Sequence, residues 1–131
     1  MKKENPTRTP LSVLVVDDSV STCESVKSTL EGAGFTVYTH NSPFGFIKVV
    51  RERQTGVILI DVGLGTMNGT KLVHLARDHS PAGTKILLYS GRTHAELERD
   101  VTESGADGFI NKSVSGTELI ASVRIWATRG W

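Results

Sequence analysis

Cysteine is nearly absent: Cys23 is the one thiol in 131 residues. An intramolecular disulfide and a multi-thiolate zinc site are thereby excluded, and the composition fits a reducing compartment, so a cytoplasmic location is expected. An excess of one charge is missing too. Fifteen Lys and Arg face fourteen Asp and Glu, a net +1 with the four His neutral, so no global field draws in nucleic acid or an anionic membrane. No apolar run is long enough to span a bilayer. Leu11 to Val16 is too short for a signal-peptide core and has two aspartates directly behind it. Internal repeats and low-complexity tracts are absent. What is present, 38% hydrophobic and 22% charged residues, is a globular composition on a chain whose length suits one domain. Residues 1–10 hold two of the four prolines and read as a flexible tail, which leaves 11–131 as the domain and no room for a separate output module.

The hydrophobic pattern alternates between two periods. Leu11 to Val16 is a nearly continuous apolar run, as in a strand buried on both faces. Val20, Cys23, Val26 and Leu30 then recur at helical spacing, stopped by Gly32 and Gly34. The alternation continues with a strand over Phe35 to His40, a helix from Pro43 to about Arg53, and a strand ending at Asp61. A glycine-rich loop, Gly63 to Gly69, leads to a helix with Leu72, Leu75, Ala76 and His79 on one face. Lys85 to Ser90 is the fourth strand, and the helix from about Thr93 to Ser104 has only Leu97 and Val101 as anchors, so it is expected to dock weakly and move. Ala106 to Asn111 is the fifth strand, and Ser115 with Glu118 makes a capping box that opens a last helix to about Arg129. Five strands alternating with five helices predict an α/β fold, a doubly wound five-stranded parallel sheet sandwiched between helices.

In such sheets function gathers at the carboxyl ends of the strands. Here those ends carry Asp17 and Asp18, Asp61, Ser90, and Asn111 with Lys112. Three carboxylates brought within about 5 Å repel by roughly 3 kcal/mol per pair at an effective dielectric near 20, so a counter-cation is required. Mg²⁺ takes carboxylate, carbonyl and water oxygens, and Lys112 supplies a permanent cation that can pair with Asp61 and grip a phosphoryl oxygen.

Val15-Val16-Asp17-Asp18-Ser19, Ile58-Leu59-Ile60-Asp61 with Gly69 beyond it, Leu87-Leu88-Tyr89-Ser90-Gly91, and Gly105-Ala106-Asp107-Gly108-Phe109-Ile110-Asn111-Lys112 together resemble the receiver domain of bacterial two-component response regulators. The likeness is to the stand-alone, chemotaxis-type form in particular, with its flavodoxin-like fold, over about Leu11 to Arg129. The resemblance implies that Asp61 is the phosphoacceptor and that Asp17, Asp18, Asp61 and the carbonyl of Gly63 hold Mg²⁺ or Mn²⁺. It further implies that Ser90 is the switch hydroxyl, Phe109 the switch aromatic and Lys112 the phosphoryl-binding lysine. The donor would be a phosphohistidine on a sensor histidine kinase or a histidine phosphotransfer protein. The chain would not be an enzyme beyond its own phosphorylation and dephosphorylation. Output would leave through helix 4, strand 5 and helix 5 to a downstream protein, with no nucleic acid or membrane as partner and a weak homodimer as an option.

The sequence departs from that family at three places. Ser113 follows Lys112 where the family has a cis-joined proline; a cis bond without proline costs about 2.5 to 4 kcal/mol, so the loop bears that strain or takes another path. Gly65 and Asn68 replace the family's proline and acid after Asp61, which predicts a more mobile loop. The resemblance implies that the two positions tuning dephosphorylation in the family are here Gly63, with no side chain, and Arg92, which is long and cationic and expected to reach the phosphoryl group and alter its lifetime.

Three other readings compete. Gly63-Leu64-Gly65-Thr66-Met67-Asn68-Gly69 nearly spells a dinucleotide fingerprint, but Asn68 takes the third glycine's slot and the loop follows the third strand. A small phosphohydrolase with an aspartate nucleophile would use the same residue types, yet Asp17 is followed two residues on by Ser19 rather than Asp. A degenerate receiver, working as a protein-interaction module without phosphorylation, is the remaining alternative. On the last helix Leu119, Ile120, Val123 and Ala127 form one stripe, which leaves Ile125 opposite and Trp126 at its edge as a candidate interface, with Trp131 close behind. Cys23 falls on an apolar helix face and reads as core. His40, His74, His79 and His94 show no ligand spacing.

Overall fold

The computed structural model describes residues 9–62 and 69–129, with the backbone alone at Thr9 and Pro10. The tail expected over 1–10 therefore falls, for residues 1–8, outside the described residues, as do the loop 63–68 and Trp131. Strands and helices alternate as β1 (Thr9–Val16), α1 (Val20–Gly32), β2 (Thr36–His40), α2 (Phe46–Arg53), β3 (Thr55–Ile60), α3 (Gly69–His79), β4 (Lys85–Ser90), α4 (His94–Ser104), β5 (Gly108–Asn111) and α5 (Gly116–Thr128). The sheet order is β2-β1-β3-β4-β5 and every described pairing is parallel. The order turns back on itself between β1 and β3, so the carboxyl ends of those two strands lie side by side at the switch point.

Two cores fill the two faces. Val13, Val15, Val57, Leu59, Leu87 and Tyr89 point toward α1 and α5, meeting Cys23, Val26, Leu30, Leu119 and Val123. Their strand neighbours Leu14, Val16, Ile58, Ile60, Ile86 and Leu88 point the other way, onto Phe46 and Val50 of α2, Leu72, Val73 and Ala76 of α3, and Leu97 of α4. That alternation explains why the strands read as continuous apolar runs: both faces are covered. All six residues of β3 are buried.

Several element boundaries differ from the sequence expectation, each for a local reason. The helix expected from Pro43 begins at Phe46 instead, because Gly45 adopts φ 76° and the Phe44 carbonyl is held by His40 Nε2 at 2.7 Å. A left-handed residue cannot continue a right-handed turn. Strand β5 begins at Gly108 rather than Ala106. Asp107 is diverted into a side-chain bridge, its Oδ2 accepting from the Ile86 N–H at 2.8 Å and from Arg77 at 3.0 Å. On α3 the buried positions are Leu72, Val73 and Ala76, with Leu75 only partly covered and His79 half-buried. The last turn of the pattern, where His79 sits, thus lies off the core.

Helix α4 is thinly anchored, as expected. Leu97 is fully buried, Val101 only partly, and Ser104 is its other buried residue. One buried Leu contributes about 1.5 to 3 kcal/mol, so the helix leans on its ends. Thr93 and Glu96 form a full capping box there, a pattern legible in the sequence as Thr-x-x-Glu.

Candidate functional site

The site is assembled by strand ends. β1 carries Asp17 past its last residue, where the Asp17 N–H donates to the His40 carbonyl at 3.1 Å and so extends the ladder toward β2. Asp61 does the same for β3, its N–H donating to the Val16 carbonyl at 3.0 Å. Because β1 and β3 are adjacent, Asp17, Asp18 and Asp61 come together: a carboxylate oxygen from each lies within 4.8 Å of the others. Asp17 is 1% exposed and Asp61 8%, whereas Asp18 faces solvent. Asp17 is further fixed by the Ser19 N–H on its Oδ1 at 2.9 Å, and its carbonyl accepts from the Cys23 thiol at 3.3 Å.

Lys112, just beyond β5, closes the site. Its ammonium is 2.6 Å from Asp17 Oδ2 and 3.4 Å from Asp61 Oδ2. Burial alone would lower its pKa, but the hydrogen bond to Asp17 and the charges of Asp61 and Asp17 outweigh that and raise it. The same burial, with Asp17's charge, pushes the Cys23 thiol up, which keeps it protonated and supports its reading as core. The ring of Tyr89 lies beneath Lys112, 5.6 Å from Nζ to the ring centroid.

Ser90 ends β4 and is 5% exposed. Its hydroxyl oxygen accepts from the Arg92 N–H at 3.2 Å, and its carbonyl accepts from the Lys112 N–H at 2.9 Å. The segment after Lys112 takes its shape from Asn111. The Asn111 side-chain carbonyl accepts from the Ser113 N–H at 2.8 Å, its backbone carbonyl accepts from the Val114 N–H at 3.2 Å, and its amide donates to the Arg92 carbonyl at 2.8 Å. There is no cis peptide bond among the described residues, so the Lys112-Ser113 bond is trans and the loop takes the other path.

Gly69 sets the other wall. A methyl group there would meet Val62 Cγ1 at 3.0 Å and Val62 Cα at 3.1 Å, so the absence of a side chain lets the start of α3 close up against the end of β3. Gly63, expected to offer its carbonyl, lies outside the described residues.

Arg92 does not stand free at the cluster. Its guanidinium is paired with Asp100 at 3.3 Å and Glu96 at 3.7 Å, both on α4. Phe109 is half-buried, with the His94 ring edge-on at 5.1 Å and 74°. Phe109, Gly108, Trp126, Val101, Thr102 and Glu98 line an open groove of about 530 Å³ on the α4, β5 and α5 face. Trp126 is half-buried against the α1/α5 core while Ile125 is 60% exposed, so of the two residues singled out as an interface only Ile125 is largely free.

Sequence reasoning missed two partners. Tyr89 interrupts an otherwise aliphatic run, Ile86-Leu87-Leu88, and that substitution in a buried strand was the available signal. Asp100 had none, because an exposed-looking acid on a polar helix is commonplace.

The donor set at the cluster is all oxygen, with two buried carboxylates and one exposed. That is the chemistry of a hard divalent ion such as Mg²⁺ or Mn²⁺ rather than of zinc or copper. Residues 13–124 match the family profile described as the response regulator receiver domain. The chain is 33% identical over 112 residues to the DNA-binding response regulator MtrA of Mycobacterium tuberculosis, covering 86% of this chain and 48% of that protein. It is 29% identical over 115 residues to the probable transcriptional regulatory protein TcrX of the same organism, covering 88% and 49%. The chain thus spans about half the length of the curated relatives it matches. Among solved structures it is similar to the chemotaxis protein CheY4 of Vibrio cholerae, with a TM-score of 0.77 at 27% identity over 86% of this chain and 95% of that one. A CheY-like receiver domain protein from Methanospirillum hungatei gives 0.78 at 26%, covering 88% and 92%.

Proposed function

The chain belongs to the response regulator receiver domain family, and from that membership we propose that Asp61 accepts a phosphoryl group from a phosphohistidine and that the chain signals through the resulting change in its α4, β5 and α5 face. The observation that carries this reading is the cluster itself: three carboxylates within 4.8 Å, one of them hydrogen-bonded to an ammonium. So concentrated a negative charge is unfavourable by itself and becomes useful when cations and a phosphoryl group share it.

The donor is a sensor histidine kinase or a histidine phosphotransfer protein. An Asp61 oxygen forms a bond to phosphorus as the phosphorus–nitrogen bond of the phosphohistidine breaks, and the imidazole leaves with the electron pair and takes up a proton. Phosphoryl transfer asks the protein mainly for position and for neutralisation of the equatorial oxygens. Lys112 supplies an ammonium, Ser90 a hydroxyl, and neighbouring loop amides further donors. Asp17, Asp18 and Asp61, with Gly63, would hold Mg²⁺ or Mn²⁺, which when bound supplies charge neutralisation at the same oxygens.

The product carries more charge and more acceptor oxygens than the carboxylate it replaces. Ser90 is drawn to it, giving up the contact with the Arg92 N–H, and the half-buried Phe109 ring moves into the space released. The thin anchoring of α4 supports this helix as the element that responds, and a downstream protein reads the altered face, with Ile125 at its edge. Intact-mass measurement after incubation with acetyl phosphate and Mg²⁺, with Asp61→Asn as control, tests the reading. A gain of one phosphoryl group that vanishes in the variant is expected; no gain, or a gain retained in Asp61→Asn, overturns it.

A further inference from the structure

Lys112 is a long side chain whose ammonium is held at its tip by Asp17 and Asp61. Its stem has four rotatable carbons and carries about 2 kcal/mol of rotamer entropy, and it stands at the end of a strand. Its side chain is 26% exposed. The open side is a groove of about 400 Å³ walled by Ser21, Thr22, Ser25 and Val26 of α1 and by Tyr89 and Lys112 themselves. A divalent cation on Asp17 and Asp61 would compete with the ammonium for those two carboxylates and leave it able to turn toward that groove.

Tyr89 lines that groove within reach of the ammonium, 5.6 Å from Nζ to the ring centroid. It is 7% exposed, rooted in the α1/α5 core, and in register with Ile110, two residues before Lys112. The next residue, Ser90, accepts the Lys112 backbone N–H at 2.9 Å. One short piece of β4 therefore holds Lys112 twice, by its backbone through Ser90 and by its ammonium over the Tyr89 ring at 5.6 Å. That distance lies within the range in which an aromatic face attracts a cation. An aliphatic side chain would fill the same core position, as Leu87 and Leu88 do beside it. What a ring adds is the electrostatic attraction.

We propose that Tyr89 is a positioning residue, whose ring keeps the Lys112 ammonium at the carboxylate cluster when Asp61 is phosphorylated. The inference rests on the phosphoacceptor reading of Asp61 for its function and on the Lys112–Tyr89 contact for its geometry. The attraction belongs to the ring face and not to the hydroxyl, so phenylalanine serves as well as tyrosine and leucine does not.

The test is a double-mutant cycle on the rate at which acetyl phosphate labels Asp61 in saturating Mg²⁺, followed by intact mass. Tyr89→Leu is expected to lower the limiting rate roughly fivefold, the scale of a partly desolvated cation–ring contact, with the half-saturating acetyl phosphate concentration little changed. Tyr89→Phe should stay near wild type. In a Lys112→Ala background Tyr89→Leu should have no further effect, because the residue through which it acts is gone. A loss in Tyr89→Phe equal to that in Tyr89→Leu, or a Tyr89→Leu effect undiminished without Lys112, overturns the proposal. A second measurement needs no phosphorylation: the ε-methylene protons of Lys112 should show a ring-current shift in the wild type and in Tyr89→Phe, and random-coil values there also overturn it. Absence of any label on the wild type would instead overturn the phosphoacceptor reading, leaving the proton shifts to decide the Lys112–Tyr89 contact.

Discussion

Trp126 occupies the space that a side chain at Gly108 would need: a methyl group built there falls 2.5 Å from the indole Cζ2 and 3.0 Å from Cη2. α5 is thereby keyed to the first residue of β5, on the face that also holds Phe109 and the groove beside α4. Gly108→Ala is expected to destabilise the fold by about 1 to 3 kcal/mol, the range for forcing extra volume into a packed contact. A urea melt reads the loss, and Trp126→Phe in the same chain should recover part of it. An unchanged urea midpoint in Gly108→Ala would mean that the indole withdraws freely and that the contact is not tight.

The fold was open to sequence reading because strand burial and helical periodicity are local properties of the chain. Leu14 and Val15 face opposite cores and are both apolar, so the run Leu11 to Val16 announces a covered strand by itself. The acidic cluster was legible for a related reason: Asp17 and Asp61 each follow a strand directly, and the switch-point rule brings strand ends together. Side-chain rivalry was not legible. Arg92 is expected to reach a phosphoryl group, and in the unphosphorylated chain it pairs with Glu96 and Asp100, about one and two turns further on, a rivalry that depends on distances no spacing rule contains. The start of α2 was not legible either, since the hydrogen bond from His40 to the Phe44 carbonyl joins two segments that each look ordinary.

Asp18 is the exposed member of the carboxylate cluster and is not a partner of Lys112 in either close ion pair. Its charge adds repulsion without a close ammonium to offset it. Asp18→Asn is therefore expected to stabilise the metal-free chain by about 1 kcal/mol, the scale of a like-charged pair near 4 Å in a well-solvated setting. The same change should lower Mg²⁺ affinity at least roughly tenfold. Thermal melts with and without Mg²⁺ give both quantities, because an ion that binds only the folded state raises the midpoint. If Asp18→Asn melts lower than wild type without metal, repulsion does not govern the cluster.

Arg92 has two calls on its charge. In the unphosphorylated chain Asp100 holds it at 3.3 Å, in a pair whose acid is only 20% exposed, and the proposed phosphoryl group on Asp61 would compete for it. Arg92→Ala removes the contested cation, whereas Asp100→Asn releases it toward the site. The two variants should shift the lifetime of the aspartyl phosphate in opposite directions, each by roughly threefold or more, the size of a partly screened ion pair. Loss of label with time, followed by intact mass, measures it. Equal lifetimes in wild type and Arg92→Ala, or shifts of the same sign in both variants, would remove Arg92 from the regulation of this site.

Acid should loosen α4 before the rest of the molecule. The Glu96 carboxylate accepts from the Thr93 N–H at 2.9 Å and the Thr93 hydroxyl at 3.1 Å. These hydrogen bonds, the backbone one foremost, hold its pKa below the ordinary value of 4.5, with smaller help from Arg92 and Arg99. A carboxylate whose pKa falls on folding contributes stability that is fully present above its unfolded value and is lost as the pH drops through the folded one. The capping contribution is thus intact above about pH 4.5 and disappears below it. Because Leu97 is the one large apolar side chain fully buried by α4, little else holds the first turn, and its amides should lose hydrogen-exchange protection over that window once intrinsic rates are corrected. Glu96→Gln lacks the titrating group and should show flat protection from pH 5.5 to 3.5, a range set to bracket the carboxylate values. The same acid-induced loss in wild type and Glu96→Gln would assign the loosening to another carboxylate, and α4 would owe its start to something other than this cap.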